Sequence, residues 1–211
     1  ALTDAAQARE AAHAEAGGYP VRLRVGGFNE DGPEMRGAAE RCLLGFSTGP
    51  PLLPGGYNNN VQIFQSPGFV VLLIEMVHDV RVIPLDGRDQ LPDSVRQWMG
   101  SSRGHWEGDT LVVETTNFTN ATGSFNTSFV SWGSAENTRL VERFTRSDDN
   151  SLVYEFTVED PDTWTSPFTG RLPMTRGDQP LYEYACHEGN HGMFNLLRGA
   201  RAIERETTNQ P

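Results

Sequence analysis

Residues 187–191 spell His-Glu-Gly-Asn-His, the H-E-x-x-H spacing with which zinc hydrolases set two imidazoles on one helix face. That chemistry needs a helix. Only there do positions i and i+4 converge on one ion, leaving the Glu beside the first His to activate the metal-bound water. Here the middle residues are Gly189 and Asn190, which favour a turn or a helix start. A strand pattern, "LYEYAC" (181–186), runs up to them, and helical periodicity begins only at about Asn190. His187 and His191 are therefore expected to diverge, and no later His supplies a third ligand. Use of a metal by His187, His191 and a carboxylate stays the last of three functional readings; no metal or other cofactor is expected.

A second group of titratable residues lies in "EMVHDVR" (75–81). If residues 69–81 continue as one extended strand, Glu75, Asp79 and Arg81 share a face with Val71, Leu73 and Val77, and His78 points the other way. A lone buried carboxylate is costly, so Glu75 should pair with Arg81 or another inward cation. Alternatively, its apolar surroundings hold it protonated or poised as a base. Glu183 aligns with His187 on the strand pattern 181–187. Glu114 aligns with Val112 and Phe118, and Glu142 with Leu140 and Phe144; Glu155 falls on the solvent face. Two carboxylates facing one cleft could run general acid–base chemistry.

These residues support an enzyme reading without metal: hydrolysis, elimination or isomerisation of a small sugar-like or polycyclic metabolite. Glu75 is the expected base or acid and Arg81 its electrostatic partner, with His78 and Asp79 beside them. His187 and Glu188 form the opposing proton-donor pair. Trp106, Trp132, Tyr57 and Tyr184, with Glu114 and Glu142, are the expected substrate contacts, Trp106 and Trp132 lying at a barrel mouth. Trp98 and Trp164 are assigned to the core. The alternative is a non-catalytic, lipocalin-like protein that binds a small ligand with the same polar groups.

Several chemistries are excluded. All 17 basic residues are Arg, so no lysine is available for a Schiff base. A net charge of −11 disfavours nucleic acid and anionic membranes as partners. The longest apolar run, "GFVVLLIEMV" (68–77), is far short of the roughly 20 residues that span a bilayer. No G-x-S-x-G elbow or phosphate-binding glycine loop occurs. The small molecule is the one partner expected, and oligomeric state is left open.

The elements that must position these groups are mostly strands. With 211 residues and 37% hydrophobic side chains, the chain can bury one core as a single domain. An Ala-rich helix over 3–16, stopped by Gly17-Gly18, and a Gly/Pro-rich arm make up residues 1–56. From Tyr57, strand patterns appear at 61–64, at 69–77 running on to 80–85, and at 104–106 with 110–118. Others fall at 137–146, 151–160, 167–175 and 181–186, with helical turns at 92–100 and a long polar loop over 119–134. A C-terminal helix over 190–206 carries Met193, Leu197, Ala200 and Ile203 on one stripe. Residues 57–211 are thus expected to form a mainly β, antiparallel, lipocalin-like barrel with the last helix outside it; a two-sheet sandwich is the alternative.

The string D-G-R (86–88), "WMGSSRGHWEGDTLVVETTNF" (98–118), "ERF" (142–144), "EDPDTW" (159–164) and "YEYACHEGN" (182–190) resembles a family of secreted, β-rich hypothetical proteins from soil bacteria. The resemblance spans roughly residues 40–200. It implies export and a β-rich fold and transfers no chemistry; this chain departs from it at His191, where the family pattern has Tyr. From the residues themselves, Cys42 and Cys186 lack metal or redox spacing and are expected to pair, which suits a secreted or periplasmic protein. The start at Ala1 is read as processing of a precursor.

Overall fold

The computed structural model describes residues 1–15, 32–45, 49–126 and 131–208. Helix α1 (Asp4–Glu15) is followed by strands β1 (Val61–Ser66), β2 (Phe69–Ile74), β3 (Val80–Pro84), β4 (Ser101–Glu107) and β5 (Thr110–Thr116). After the short pair β6 (Phe125–Asn126) and β7 (Ser131–Trp132) come β8 (Arg139–Arg146), β9 (Ser151–Glu159), β10 (Phe168–Thr175) and helix α2 (His191–Thr208).

Alternation dictates what each strand buries. Leu140, Glu142 and Phe144 of β8 and Tyr154, Phe156 and Val158 of β9 point inward, leaving Arg139, Val141 and Arg143 outside. These strands pair along their full length, and β4 and β5 form a second hairpin around Gly108-Asp109. The resulting antiparallel sheet has the order β10-β9-β8-β5-β4. Inward rows cross all five strands, one of them reading Gly170, Phe156, Glu142, Val113 and Gly104.

A three-stranded antiparallel sheet, β1-β2-β3, faces it, with Ile63, Leu72 and Arg81 in one inward row. Leu72, Ile74 and Ile83 from this sheet and Leu111, Val113, Phe144, Tyr154 and Phe156 from the other belong to a single buried cluster. The sheets approach where β3 meets β4. A Cβ on Gly104 would come within 2.7 Å of Ile83 Cγ2 and 2.8 Å of Leu85 Cδ2, so the missing side chain is what admits the contact. Among the described residues no backbone pairing joins β3 to β4 or β1 to β10. The fold is mainly β and antiparallel; among the described residues the main strands form two facing sheets with no closed barrel, an arrangement that the sandwich alternative fits as well.

Five elements differ from expectation. The apolar run does not continue through residue 81. β2 ends at Ile74, Val77 and His78 adopt φ of 60° and 46°, and β3 folds back so that Leu73 lies opposite Val80. Residues 181–186 form no ladder, and 92–100 form turns held by a bridge between Gln97 and Phe118. β5 stops at Thr116 because Asn117 is left-handed, its side chain donating to the carbonyls of Leu91, Pro92 and Val95. Of the 119–134 loop, 125–126 and 131–132 pair as β6 and β7, and 127–130 lie outside the described residues.

The terminal helices are capped, and the arm is tied to the segment before the last helix. Thr3 Oγ1 caps α1 by accepting from the Ala6 N–H at 3.2 Å; the Gly17-Gly18 stop lies outside the described residues. Cys42 and Cys186 form a disulfide across 144 residues of sequence. Next to it Asn190 caps α2, its Oδ1 accepting from the Met193 N–H, while its Nδ2 donates to the Glu40 carbonyl at 2.8 Å. Ala200 is buried, but Ile203 of the expected stripe is exposed, as are Phe194 and Leu196. No described helix is long and apolar enough to cross a membrane.

Replacing Cys42 and Cys186 with Ser should lower unfolding free energy by up to about 4–5 kcal/mol, because the bond closes so long a loop in the unfolded chain. Urea titrations with and without reductant measure this, and equal midpoints would show that the crosslink adds no stability.

Candidate functional site

Strand alternation carries three polar side chains into the space between the sheets. Arg81 Nη1 donates to Glu142 Oε1 at 3.1 Å and Nη2 to Oε2 at 2.5 Å. Tyr154 Oη donates to Glu142 Oε1 at 2.7 Å and accepts from the Leu52 N–H at 2.9 Å. Arg81 Nη2 also reaches Ser102 Oγ and Thr115 Oγ1, hydroxyls that lie 2.9 Å from each other. Arg81 is 3% exposed; Glu142 and Tyr154 are at 0%. Burial works against the Arg81 charge, but the Glu142 carboxylate outweighs it and holds the guanidinium above its ordinary range. Burial, followed by the Glu142 charge, keeps the Tyr154 hydroxyl well above its ordinary range and therefore neutral. Both Arg81 amino groups, both Glu142 oxygens and the Tyr154 hydroxyl have protein partners, while Arg81 Nε is buried without one, so the cluster acts as a support between the sheets.

Removing one partner alone, as in Arg81→Met or Glu142→Leu, leaves the other charge buried and should cost about 3–5 kcal/mol. The double variant should recover most of that loss. Urea unfolding of the four proteins tests the coupling, and purely additive losses would contradict it.

The expected catalytic set is dispersed. Glu75 does not pair with Arg81. Just beyond the end of β2, its Oε2 accepts from Asn60 Nδ2 at 2.8 Å and from the Asn60 N–H at 3.2 Å. His78 is exposed, its Nδ1 3.2 Å from the Tyr184 carbonyl. Asp79 lies against Gly45, whose backbone hydrogen-bonds it, and its Oδ2 is shut from solvent without a partner. The tight turn at 76–78 explains the correction: Glu75 and Asp79 lie in the connection between β2 and β3 and only Arg81 in a strand, so the three do not share the face of one strand. His187 and Glu188 are exposed in the turn before α2, and His191 is that helix's first residue. The two imidazoles are therefore not on successive turns of one helix, and the described residues contain no group of three or more His, Cys, Asp or Glu placed for a metal.

Burial raises the Asp79 carboxyl from 3.8 to about 6, partly opposed by His78 and the Gly45 hydrogen bond. The folded protein then holds a proton that the unfolded chain has released between these values, so this group's contribution to stability falls as pH rises through that window. Asp79→Asn should remove that part of the slope and gain about 1–2 kcal/mol near neutral pH, allowing for partial solvent screening. Parallel pH–stability curves for the two proteins would mean that Asp79 titrates normally.

The expected substrate contacts separate as well. Glu114 lies on the opposite sheet face from Glu142, paired with Arg139, which also bonds Glu159 at 2.9 Å. Trp132 is not at a mouth: it stacks on Phe125 at 5.9 Å and tilts against Trp164 at 6.4 Å. Tyr57 and Tyr184 stack on each other with centroids 6.5 Å apart. Glu183, without a strand to align it with His187, is exposed.

Trp106 does border an opening. Where β1 and β10 fail to pair, a cleft of about 1080 Å³ enters between the sheets. Its walls include Ile63, Val70, Leu72, Leu111, Phe144 and Met174, and Trp106, 47% exposed, stands at its edge. Asp109, Asp148, Asp149, Arg146 and Arg176 supply the charges around it, Arg146 bonding Asp149 at 2.9 Å. A second hollow of about 480 Å³ continues between the same strands, over Leu52, Leu53 and Leu172. The strands β1 and β10 were legible in the sequence, but nothing local to either marks it as the border of a gap.

The chain has no significant match to any known family model, curated protein or solved structure.

Proposed function

We propose that this protein binds a small molecule with both an apolar body and polar groups, polycyclic or similarly compact, in the cleft between β1 and β10, as a lipocalin-like carrier. The observation that carries the reading is the cleft: its volume of about 1080 Å³ reaches the size range of small-molecule sites, its walls are side chains of both sheets, and Trp106 borders it. An acid–base mechanism needs a proton-transfer group within about 3 Å of the reacting atom. Glu75, His78, Asp79, His187 and Glu188 are not among the cleft's lining residues. The carboxylates that are, Asp109, Asp148 and Asp149, lie on hairpin turns at its edge and suit hydrogen bonding to a polar end of the ligand. A carrier role outside the cytosol agrees with the Cys42–Cys186 disulfide.

The neutral probe N-phenylnaphthylamine should bind saturably with micromolar affinity and quench tryptophan emission. Met174→Arg, which sets a charge into the wall, should weaken binding at least about tenfold without changing the fold. A probe that fails to saturate, or binds the Arg variant equally well, would sink the proposal.

A further inference from the structure

We infer that β1 is a self-association edge, pairing antiparallel with β1 of a second copy of this chain. The two main sheets expose four edge strands, and three of them are guarded against pairing. β10 carries Pro173 and Arg171, β4 carries Arg103, His105 and Glu107, and β3 ends in Pro84 and is approached by β4 through Gly104. β1 has no such device. Its sequence, Val-Gln-Ile-Phe-Gln-Ser, follows three asparagines and contains no charge, proline or glycine; five of its six residues are exposed. A six-residue, uncharged, β-prone segment with amide side chains is the composition that pairs with copies of itself.

The surroundings favour the same occupant. The outward row Phe64, Val71 and Val82 and the neighbouring row Gln62, Leu73 and Val80 hold no charged residue, and Phe64, Val80 and Val82 are 45%, 52% and 52% exposed. The outward face of the five-stranded sheet instead carries the Arg139–Glu114, Arg139–Glu159 and Arg143–Glu107 pairs. Two molecules of net charge −11 repel over most approaches, and β1 itself adds no charge to that repulsion, with Asp109, Asp148 and Asp149 lying beside Arg146 and Arg176 around the adjoining cleft. A two-fold axis through Ile63 or Phe64 keeps inward residues beside inward residues and sets no charges opposite one another. The pair of strands joins two three-stranded sheets into one of six. A six-residue edge supplies well under the roughly 1,600 Å² of a standard interface, so the dimer is weak and concentration-dependent.

Sedimentation velocity over a concentration series from micromolar to millimolar tests this. The parent should shift from monomer to dimer as concentration rises, and Phe64→Lys should stay monomeric throughout with an unchanged far-ultraviolet spectrum. Gln62→Lys, outward on the same strand, should do likewise and serves if the first variant folds poorly. Val82→Lys, on the same face but two strands from the edge, should dimerise like the parent. A parent that is monomeric at every concentration overturns the proposal, as does dimerisation of the β1 variants. Loss of the dimer in Val82→Lys also overturns it, since the sheet face and not its edge would then be the contact.

Discussion

Arg81 comes from the three-stranded sheet and Glu142 from the five-stranded one, and both lie almost wholly out of water. Two ions so placed lose several kcal/mol of hydration each, a loss offset only when geometry and hydrogen bonding are nearly complete. Here the guanidinium engages both carboxylate oxygens, and Tyr154 donates a further bond to the carboxylate. A bidentate contact tolerates little displacement, so the pair constrains how one sheet lies over the other. Tyr154 carries the constraint to the arm through the Leu52 backbone, and Ser102 and Thr115 carry it into β4 and β5.

The same constraint separates support from site. The inward polar groups that look most reactive by type are consumed in holding the sheets, and Glu75 is engaged by Asn60. What stays open is the interval between β1 and β10, whose lining mixes apolar side chains of both sheets with polar ones such as Gln62, Gln65 and Thr175 and with charges at its edge.

The two sheets also meet their surroundings differently. Cross-strand Arg–Glu pairs on the outside of the five-stranded sheet contribute little stability each, but they keep that face solvated and specific. The strand residues on the outside of the three-stranded sheet carry no charge, only Arg88 from the following turn lying over Phe69, and the β1 edge lacks any residue that discourages pairing. Both faces are exposed, and the contrast between them is a property of which strands share a sheet.

By itself the sequence determined what depends on neighbours along the chain. Alternation in 139–146 and 151–159 announced the β8–β9 hairpin, the Glu-Gly-Asp turn announced β4–β5, and Asn190 announced the start of α2, because strand faces, turns and caps are local chemistry. Alternation likewise marked Glu142 as inward, and two cysteines without metal spacing marked a disulfide, whereas Arg81 was set on the face of Val71 and Leu73, which point outward. The tertiary structure alone decided that Arg81 answers Glu142 and not Glu75, that Trp132 joins an aromatic cluster and not a mouth, and that β1 and β10 stand apart. A strand's own residues fix its two faces, but they do not say which strand will lie opposite, and charge pairing, closure and cavity all follow from that opposition.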